Sequence, residues 1–281
     1  MVFHSDLDNT LIYSYKRGIG GDKRCVEIYQ GREISYMTER SVELLRKVRE
    51  QVVFVPTTTR TEEQYRRVWL GEEPPEYALV CNGGILLAHG ERVEEWYGES
   101  RELVADCRKA LEDAQKLLGE DGNVTFEIRE IEGLFVFTKS AEPGRTVGML
   151  KNRLRGSGLD VFSNGVKVYA VPKALSKGEA VRRFRHWALD GQAAAGGGSQ
   201  GAPMVAAAGD SRLRAPMVIA AGDSRFDISM LEEANVALAE RGLEQEGVQG
   251  EHVVYLGEEG VFSDEVLGYI LQLNTSSLEK L

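Results

Sequence analysis

Residues 2–10 read VFHSDLDNT, a short apolar run that ends at Ser5 and hands over to Asp6 and Asp8 with Leu7 between them. A buried strand delivers its next residue to the edge of a sheet, and in open α/β sheets ligands collect at the carboxyl edge. Two carboxylates so close repel unless a cation lies between them or one holds a proton. Both remedies suit phosphoryl transfer. A divalent cation takes carboxylate and phosphate oxygens together, and a protonated aspartate donates to a leaving group. Alone, the stretch reads equally as a solvated loop after a strand.

Three later stretches bear on that choice. PTTTR (56–60) follows the apolar run VVFV (52–55) and sets hydroxyls and a guanidinium at a strand end. Hydroxyls and backbone N–H groups there suit a phosphoryl group, although a Thr-rich turn also simply caps a helix. LSKGEAV (175–181) places Lys177 in the first turn of a helix whose capping box is Ser176 and Glu179. A positive charge in that turn opposes the helix dipole and costs a few tenths of a kcal/mol, a sign that a bound anion reverses. A lysine pointing to water is the plain alternative. GDSRFD (222–227) supplies Asp223 at the end of an apolar run and Asp227 at the start of ISMLEEA (228–234). Asp227 either caps that helix or, with Asp223, completes an acidic metal pocket facing Asp6 and Asp8.

The rest of the chain sets bounds. Its 281 residues suffice for one large domain or two modest ones. The net charge of −10, without a basic cluster, argues against nucleic acid as a partner. No apolar run approaches membrane-spanning length, and the N-terminus lacks signal-peptide architecture. Three widely spaced cysteines (Cys25, Cys81, Cys107) suit reduced thiols in a cytoplasmic protein and give no zinc spacing. Apolar runs alternating with amphipathic segments predict an α/β fold with a doubly wound, mostly parallel sheet.

Several elements are predicted individually. CVEIYQGREISY (25–36) reads as a hairpin turning at Gln30-Gly31, Thr38 as the N-cap of a helix through Val48, and Thr61 with Gln64 as the capping box of a helix reaching Leu70. After Gly84 the rhythm changes to period-2 strands and hairpins, with a long helix expected from Glu99 to Leu118 and a hairpin turning at Asn164-Gly165. That predicts an inserted α+β cap over 85–170, within a core of 1–84 and 171–281. His4 reads as a packed neighbour of the site, His89 as a turn residue, and His186 and Trp187 as surface and core. Tyr13, Tyr15, Lys16 and Arg17 form either a flap over the site or an ordinary loop.

Taken together and in this order, DxDxT (6–10), Thr58 before Arg60, Lys177 and GDxxxD (222–227) resemble the motif set of the haloacid dehalogenase superfamily of aspartate-nucleophile phosphatases. Over a hundred residues separate Arg60 from Lys177. That is similar to the subgroup with an α+β cap after the third strand, which includes the Cof-type, sucrose-phosphate and trehalose-phosphate phosphatases. CNGG (81–84) and LSKGEAV match that subgroup's Asn-Gly and lysine elements. The resemblance spans nearly the whole chain; the cap is only generically similar.

The resemblance implies a phosphoric monoester hydrolase acting on a small phosphorylated metabolite, a sugar phosphate. Asp6 would be the nucleophile that forms an aspartyl-phosphate, and Asp8 the acid and then base. Thr58 and Lys177 would stabilise the phosphoryl oxygens. Mg2+ would be held by Asp6, the Asp8 backbone carbonyl and Asp223, with Asp227 either touching the ion or standing just behind its ligands. Thr10, Arg60, Asn82 and Gly83 would face the substrate. Two positions depart from the family pattern: Thr59 stands where glycine is usual, and Phe226 where asparagine is usual.

Those departures keep in view a non-catalytic binding or regulatory protein on the same scaffold; a second rival is a phosphoreceiver-like signalling module, which also uses acidic residues, a Thr or Ser and a lysine around magnesium. One further oddity is a near-repeat: APMVAAAGDSRLR (202–214) precedes APMVIAAGDSRFD (215–227). The first copy ends in Arg214 where the second has Asp227, and it follows the Gly- and Ala-rich DGQAAAGGGSQGAP (190–203). The second copy is therefore expected to be the working strand and metal loop. Residues 191–214 are expected to be linker plus a non-functional duplicate.

Overall fold

The apolar run after Met1 becomes the strand on which the whole arrangement turns, because it is hydrogen-bonded on both sides. In the computed structural model, which describes residues 1–195, 217–258 and 260–278, the elements begin β1 (Val2–Ser5), β2 (Tyr13–Ser14), β3 (Lys23–Tyr29), β4 (Arg32–Thr38), α1 (Glu39–Arg49), β5 (Val53–Pro56), α2 (Glu62–Arg66), β6 (Tyr77–Val80), β7 (Ile85–Ala88) and β8 (Glu91–Arg92). They continue α3 (Glu94–Leu103), α4 (Arg108–Glu120), β9 (Arg129–Ile131), β10 (Phe135–Lys139), α5 (Pro143–Arg153), β11 (Leu159–Asn164) and β12 (Lys167–Pro172). Last come α6 (Lys177–Ala195), β13 (Val218–Gly222), α7 (Ile228–Glu232), β14 (Val236–Glu240), β15 (Val253–Leu256) and α8 (Phe262–Leu278).

The chain divides into two units, Met1–Gly83 with Leu87–Glu91 and Lys177–Leu281, and Gly84–Leu86 with Arg92–Ser176. In the first, five strands form a parallel sheet in the order β15-β14-β13-β1-β5. β13 is buried at every position, as a strand covered on both faces must be. Val218 and Ala220 face a cluster with Val181 of α6 and Met230 and Leu231 of α7. The sequence leaves β1 for β5 on one side and returns to β13 on the other, so the order reverses at β1. Ligands of open α/β sheets bind at the carboxyl ends beside such a reversal.

β2, β4 and β3 form a separate three-stranded antiparallel sheet in that order. The β3–β4 turn falls at Gln30 and Gly31, both with positive φ (51° and 74°), as a two-residue hairpin turn demands. Thr38 caps α1 by accepting from the Ser41 N–H, and Thr61 and Gln64 form the reciprocal capping box of α2.

α2 is shorter than its sequence predicts: it stops at Arg66 and not at Leu70. Val68 bridges to Glu27, and the Trp69 N–H donates to the Val26 carbonyl at 2.7 Å. Pairing with β3 therefore takes backbone groups that a longer helix needs.

The second unit holds a four-stranded antiparallel sheet, β11-β12-β10-β9. Its alternation is plain in β12: Val168 and Ala170 join Leu111, Ala114 and Leu118 of α4 and Leu150 of α5 in one core. Tyr169, between them, instead lies 5.2 Å from the Phe137 ring and 5.7 Å from that of Phe162. The single helix expected over Glu99–Leu118 is two, α3 and α4, joined by a 3₁₀ turn at Ala105–Cys107. Buried Val104 breaks it, with φ −101° and ψ 1° in the bridge region.

The second copy of the near-repeat supplies β13. The first copy, Asp210 included, lies outside the described residues. Cys25, Cys81 and Cys107 take part in no disulfide. Among the described residues no helix is long and apolar enough to cross a membrane.

Candidate active site

Four chain segments end at the carboxyl edge of the parallel sheet. Asp6 follows β1 directly, and its N–H donates to the Ala221 carbonyl of β13 at 3.0 Å, tying the loops after the two strands together. Asp223 follows β13, and Asp227 stands in the next turn, fully buried. Lys177 opens α6, its side chain 1% exposed. Its ammonium donates to Oδ1 of Asp6 at 2.7 Å and to Oδ1 of Asp227 at 2.5 Å. The anion that the misplaced positive charge demanded is thus a pair of carboxylates from two other segments. Burial disfavours the lysine's charge, but Asp227 and Asp6 outweigh it and hold the pKa above that of an ordinary lysine.

Glycine makes two of these approaches possible. A Cβ on Gly222 would lie 2.2 Å from the Cβ of Asp227, and one on Gly178 would lie 2.3 Å from the Ser229 carbonyl oxygen. The Gly178 N–H donates to the Ser229 hydroxyl at 3.1 Å, seating α6 on α7. Asp227 does more than cap. Its Oδ2 accepts from the Asp223 and Ser224 N–H groups and from the Ser224 hydroxyl, so the loop wraps around it.

Ligand oxygens of Asp6, Asp223 and Asp227 lie within 4.8 Å of one another. Burial first, and then the neighbouring carboxylates, push Asp6 up to about 7 and Asp223 up to about 8. Three carboxylates against one ammonium leave an excess of two negative charges when all are ionised. A hard divalent cation with oxygen ligands matches both the donor set and the charge. Thr10, expected to face the substrate, is fully buried and donates to Oδ1 of Asp223 at 3.0 Å.

Asp8 is set apart from that cluster. Its side chain is 47% exposed, and Arg60 grips it with Nε on Oδ2 at 2.7 Å and Nη2 on Oδ1 at 2.8 Å. The same guanidinium holds buried Glu27, with Nη1 2.9 Å from Oε1 and Nη2 2.9 Å from Oε2. Arg60, expected toward the substrate, therefore has its fork on two carboxylates of its own chain. Nothing in the sequence singles out Glu27, because a glutamate in an alternating strand reads as solvent-facing.

Thr58 is fully buried, and its hydroxyl accepts the Arg60 N–H at 3.2 Å. CNGG locks onto this loop: the Cys81 N–H donates to the Arg60 carbonyl and the Asn82 N–H to the Thr58 carbonyl, at 2.7 and 2.9 Å. Cys81, Asn82 and Gly83 all have positive φ (53°, 59° and 86°), a run that Asn and Gly tolerate best. His4 is buried against Phe184, with Nδ1 3.0 Å from the Thr57 hydroxyl, and burial lowers its pKa to about 3. It is a packed neighbour of the site. Phe226 and Thr59 are both half-buried in their loops.

No protein-family model and no curated protein matches the chain. Solved structures do. The sucrose phosphatase of Synechocystis sp. PCC6803, solved with sucrose and phosphate, is similar over 98% of each chain at 16% identity and a TM-score of 0.60. A Thermoplasma acidophilum protein is similar over 96% of each chain at 10% identity and a TM-score of 0.57. A trehalose-6-phosphate phosphatase related protein covers 99% of this chain and 100% of its own, at 15% identity and a TM-score of 0.51. At such identities the likeness establishes the fold. The chain has the haloacid dehalogenase-like α/β fold, a doubly wound parallel sheet with an inserted α+β segment.

Proposed function

We propose that this protein is a magnesium-dependent phosphatase that hydrolyses a small phosphorylated metabolite, a sugar phosphate, in the cytoplasm. One observation carries the reading: a buried ammonium from α6 bridges the aspartates after β1 and β13, beside a third carboxylate, at the reversal of strand order. Two proteins of this fold, a sucrose phosphatase solved with sucrose and phosphate and a trehalose-6-phosphate phosphatase related protein, support the substrate class.

In the proposed reaction the Asp6 carboxylate attacks phosphorus and forms an aspartyl-phosphate. The bond to the leaving oxygen breaks with its electron pair, and Asp8 gives that oxygen a proton. Asp8, now a carboxylate, takes a proton from water as the water attacks phosphorus, and Asp6 is released. The Lys177 ammonium and the Thr58 hydroxyl face the charge on the phosphoryl oxygens. Asn82 and Gly83 border the same loop and would contact substrate. Asp6, the Asp8 backbone carbonyl, Asp223 and Asp227 would hold Mg2+, which would supply positive charge against the dianion.

The test is phosphate release from a panel of phosphorylated metabolites with and without magnesium. Wild type is expected to turn over at least one sugar phosphate, and Asp6→Asn to lose on the order of 10³-fold or more of that rate. Wild type and Asp6→Asn equally inactive on the whole panel would refute an enzyme and favour a binding protein on this scaffold. Stable phospho-Asp6 without turnover would favour a receiver.

A further inference from the structure

Behind Asp8 lies a buried carboxylate that the reaction above does not use. Glu27 is 2% exposed, and Val26 before it is equally buried, which breaks the alternation of a half-buried strand. The cause is a bulge: the register of β3 against β4 shifts on both sides of Glu27. Bulges re-aim side chains and collect beside active sites. This one turns Glu27 inward, onto the Ser35 hydroxyl (2.7 Å), the Arg60 guanidinium and Arg67 Nε (3.4 Å). Burying such a charge rarely gains stability over apolar packing. What it provides here is orientation.

We propose that Glu27 is a positioning residue: it fixes the Arg60 fork, and the fork fixes the carboxyl of Asp8 where it meets the leaving oxygen. The inference rests on the phosphatase reading for its chemistry and on the contacts for its geometry. Arg60 meets both partners in two-point contact, Nε and Nη2 on Asp8, and Nη1 and Nη2 on Glu27. Fork-to-carboxylate pairs set direction as well as distance. Its Nη1 also donates to the Gln64 carbonyl at 3.3 Å, so the plane is held from three sides. A carboxyl oxygen accepts in two lone-pair directions, so a fork on one side is compatible with proton transfer on another. As the phosphorus–oxygen bond breaks, the leaving oxygen takes its electron pair and the Asp8 proton, and Asp6 closes the new bond. Misplacing the donor by an ångström costs rate without touching phosphate binding.

The experiment compares Glu27→Gln with wild type on an alkyl phosphate, whose alkoxide needs a proton to leave, and on p-nitrophenyl phosphate, whose phenolate does not. Glu27→Gln is expected to lower kcat/KM, which reads aspartyl-phosphate formation and not the later water step that Asp8 also serves, by about ten- to a hundredfold on the alkyl phosphate and at least several-fold less on p-nitrophenyl phosphate. In an Asp8→Asn background it should add no further loss. Equal loss of kcat/KM on both substrates, no loss on either, or effects that multiply with Asp8→Asn would overturn the proposal. Circular dichroism checks folding, and the milder Ser35→Ala carries the same comparison should Glu27→Gln not fold. A crystal structure of the variant gives a readout independent of turnover. It should show Arg60 displaced and the Asp8 carboxyl moved, and an unmoved Asp8 would overturn the proposal. A wild type inactive on every phosphate would sink the phosphatase reading separately, with the crystal arm still deciding whether Glu27 places Asp8.

Discussion

A Cβ placed on Gly222 would sit 2.2 Å from the Cβ of Asp227, closer than two carbons can approach. The atom in the way lies at the root of the Asp227 side chain, so the loop itself would have to move. Gly222→Ala is expected to destabilise the protein by about 1–3 kcal/mol, the cost of overpacking. It should also weaken magnesium binding, because the loop carries Asp223. Thermal unfolding and a magnesium titration of the variant measure the two effects.

Removing the buried ammonium should cost more. Lys177→Met leaves Asp6 and Asp227 facing each other without their shared cation. Stripping one partner from a buried ion pair costs about 3–5 kcal/mol. Denaturant unfolding is expected to show that loss, together with abolished phosphate release. A variant as stable as wild type would contradict the reading of Lys177 as the counter-charge.

Stability should depend on pH in a direction opposite to that of most salt-bridged carboxylates. Burial pushes Asp6 up to about 7 and Asp223 up to about 8 in the folded chain, against about 4 when unfolded. Between those values the folded state holds protons that the unfolded state has released, so stability falls as pH rises from about 4 to about 8. His4, lowered to about 3, works the other way and removes stability as pH drops below its unfolded value. Melting in a chelator is therefore expected at lower temperature near about pH 9 than near about pH 6, and magnesium should restore more of it at the higher pH. A chelated protein equally stable at both would contradict the raised values.

Gly178→Ala tests the seat of Lys177 without changing its charge. The new methyl would press on the Ser229 carbonyl oxygen, from only 2.3 Å. α6 is expected to lift from α7 and draw the ammonium off Asp227. Activity should fall more steeply than the melting temperature, and parallel measurement of both decides it.

How much of this the sequence disclosed depends on how local each cause is. Thr38 and Thr61 announce their helices because a cap's partner lies three residues on, and the Gln30-Gly31 turn announces its hairpin for the same reason. Asp6, Lys177, Asp223 and Asp227 were legible as a set because a strand end and a helix start confine where their side chains go. The end of α2 was not, since the group that claims the Trp69 N–H belongs to Val26 on another element. Glu27 was hidden for a like reason. A bulge reverses the face that period-2 reading assigns it, and its partners Arg60 and Arg67 are brought in by the fold. The grip of Arg60 on Asp8 was equally invisible, because a guanidinium near a phosphate site reads first as a phosphate ligand.

The placing of β1 between β5 and β13 has a consequence for the birth of the chain. β1 is complete at Ser5, but its second neighbour begins only at Val218. At about 5–20 residues per second, a ribosome takes roughly ten to forty seconds to cover that distance. Throughout that interval one side of an apolar strand is open to any other unpaired edge nearby. Translation speed and chaperone supply, as much as the finished fold, then govern how many of these molecules reach their working form.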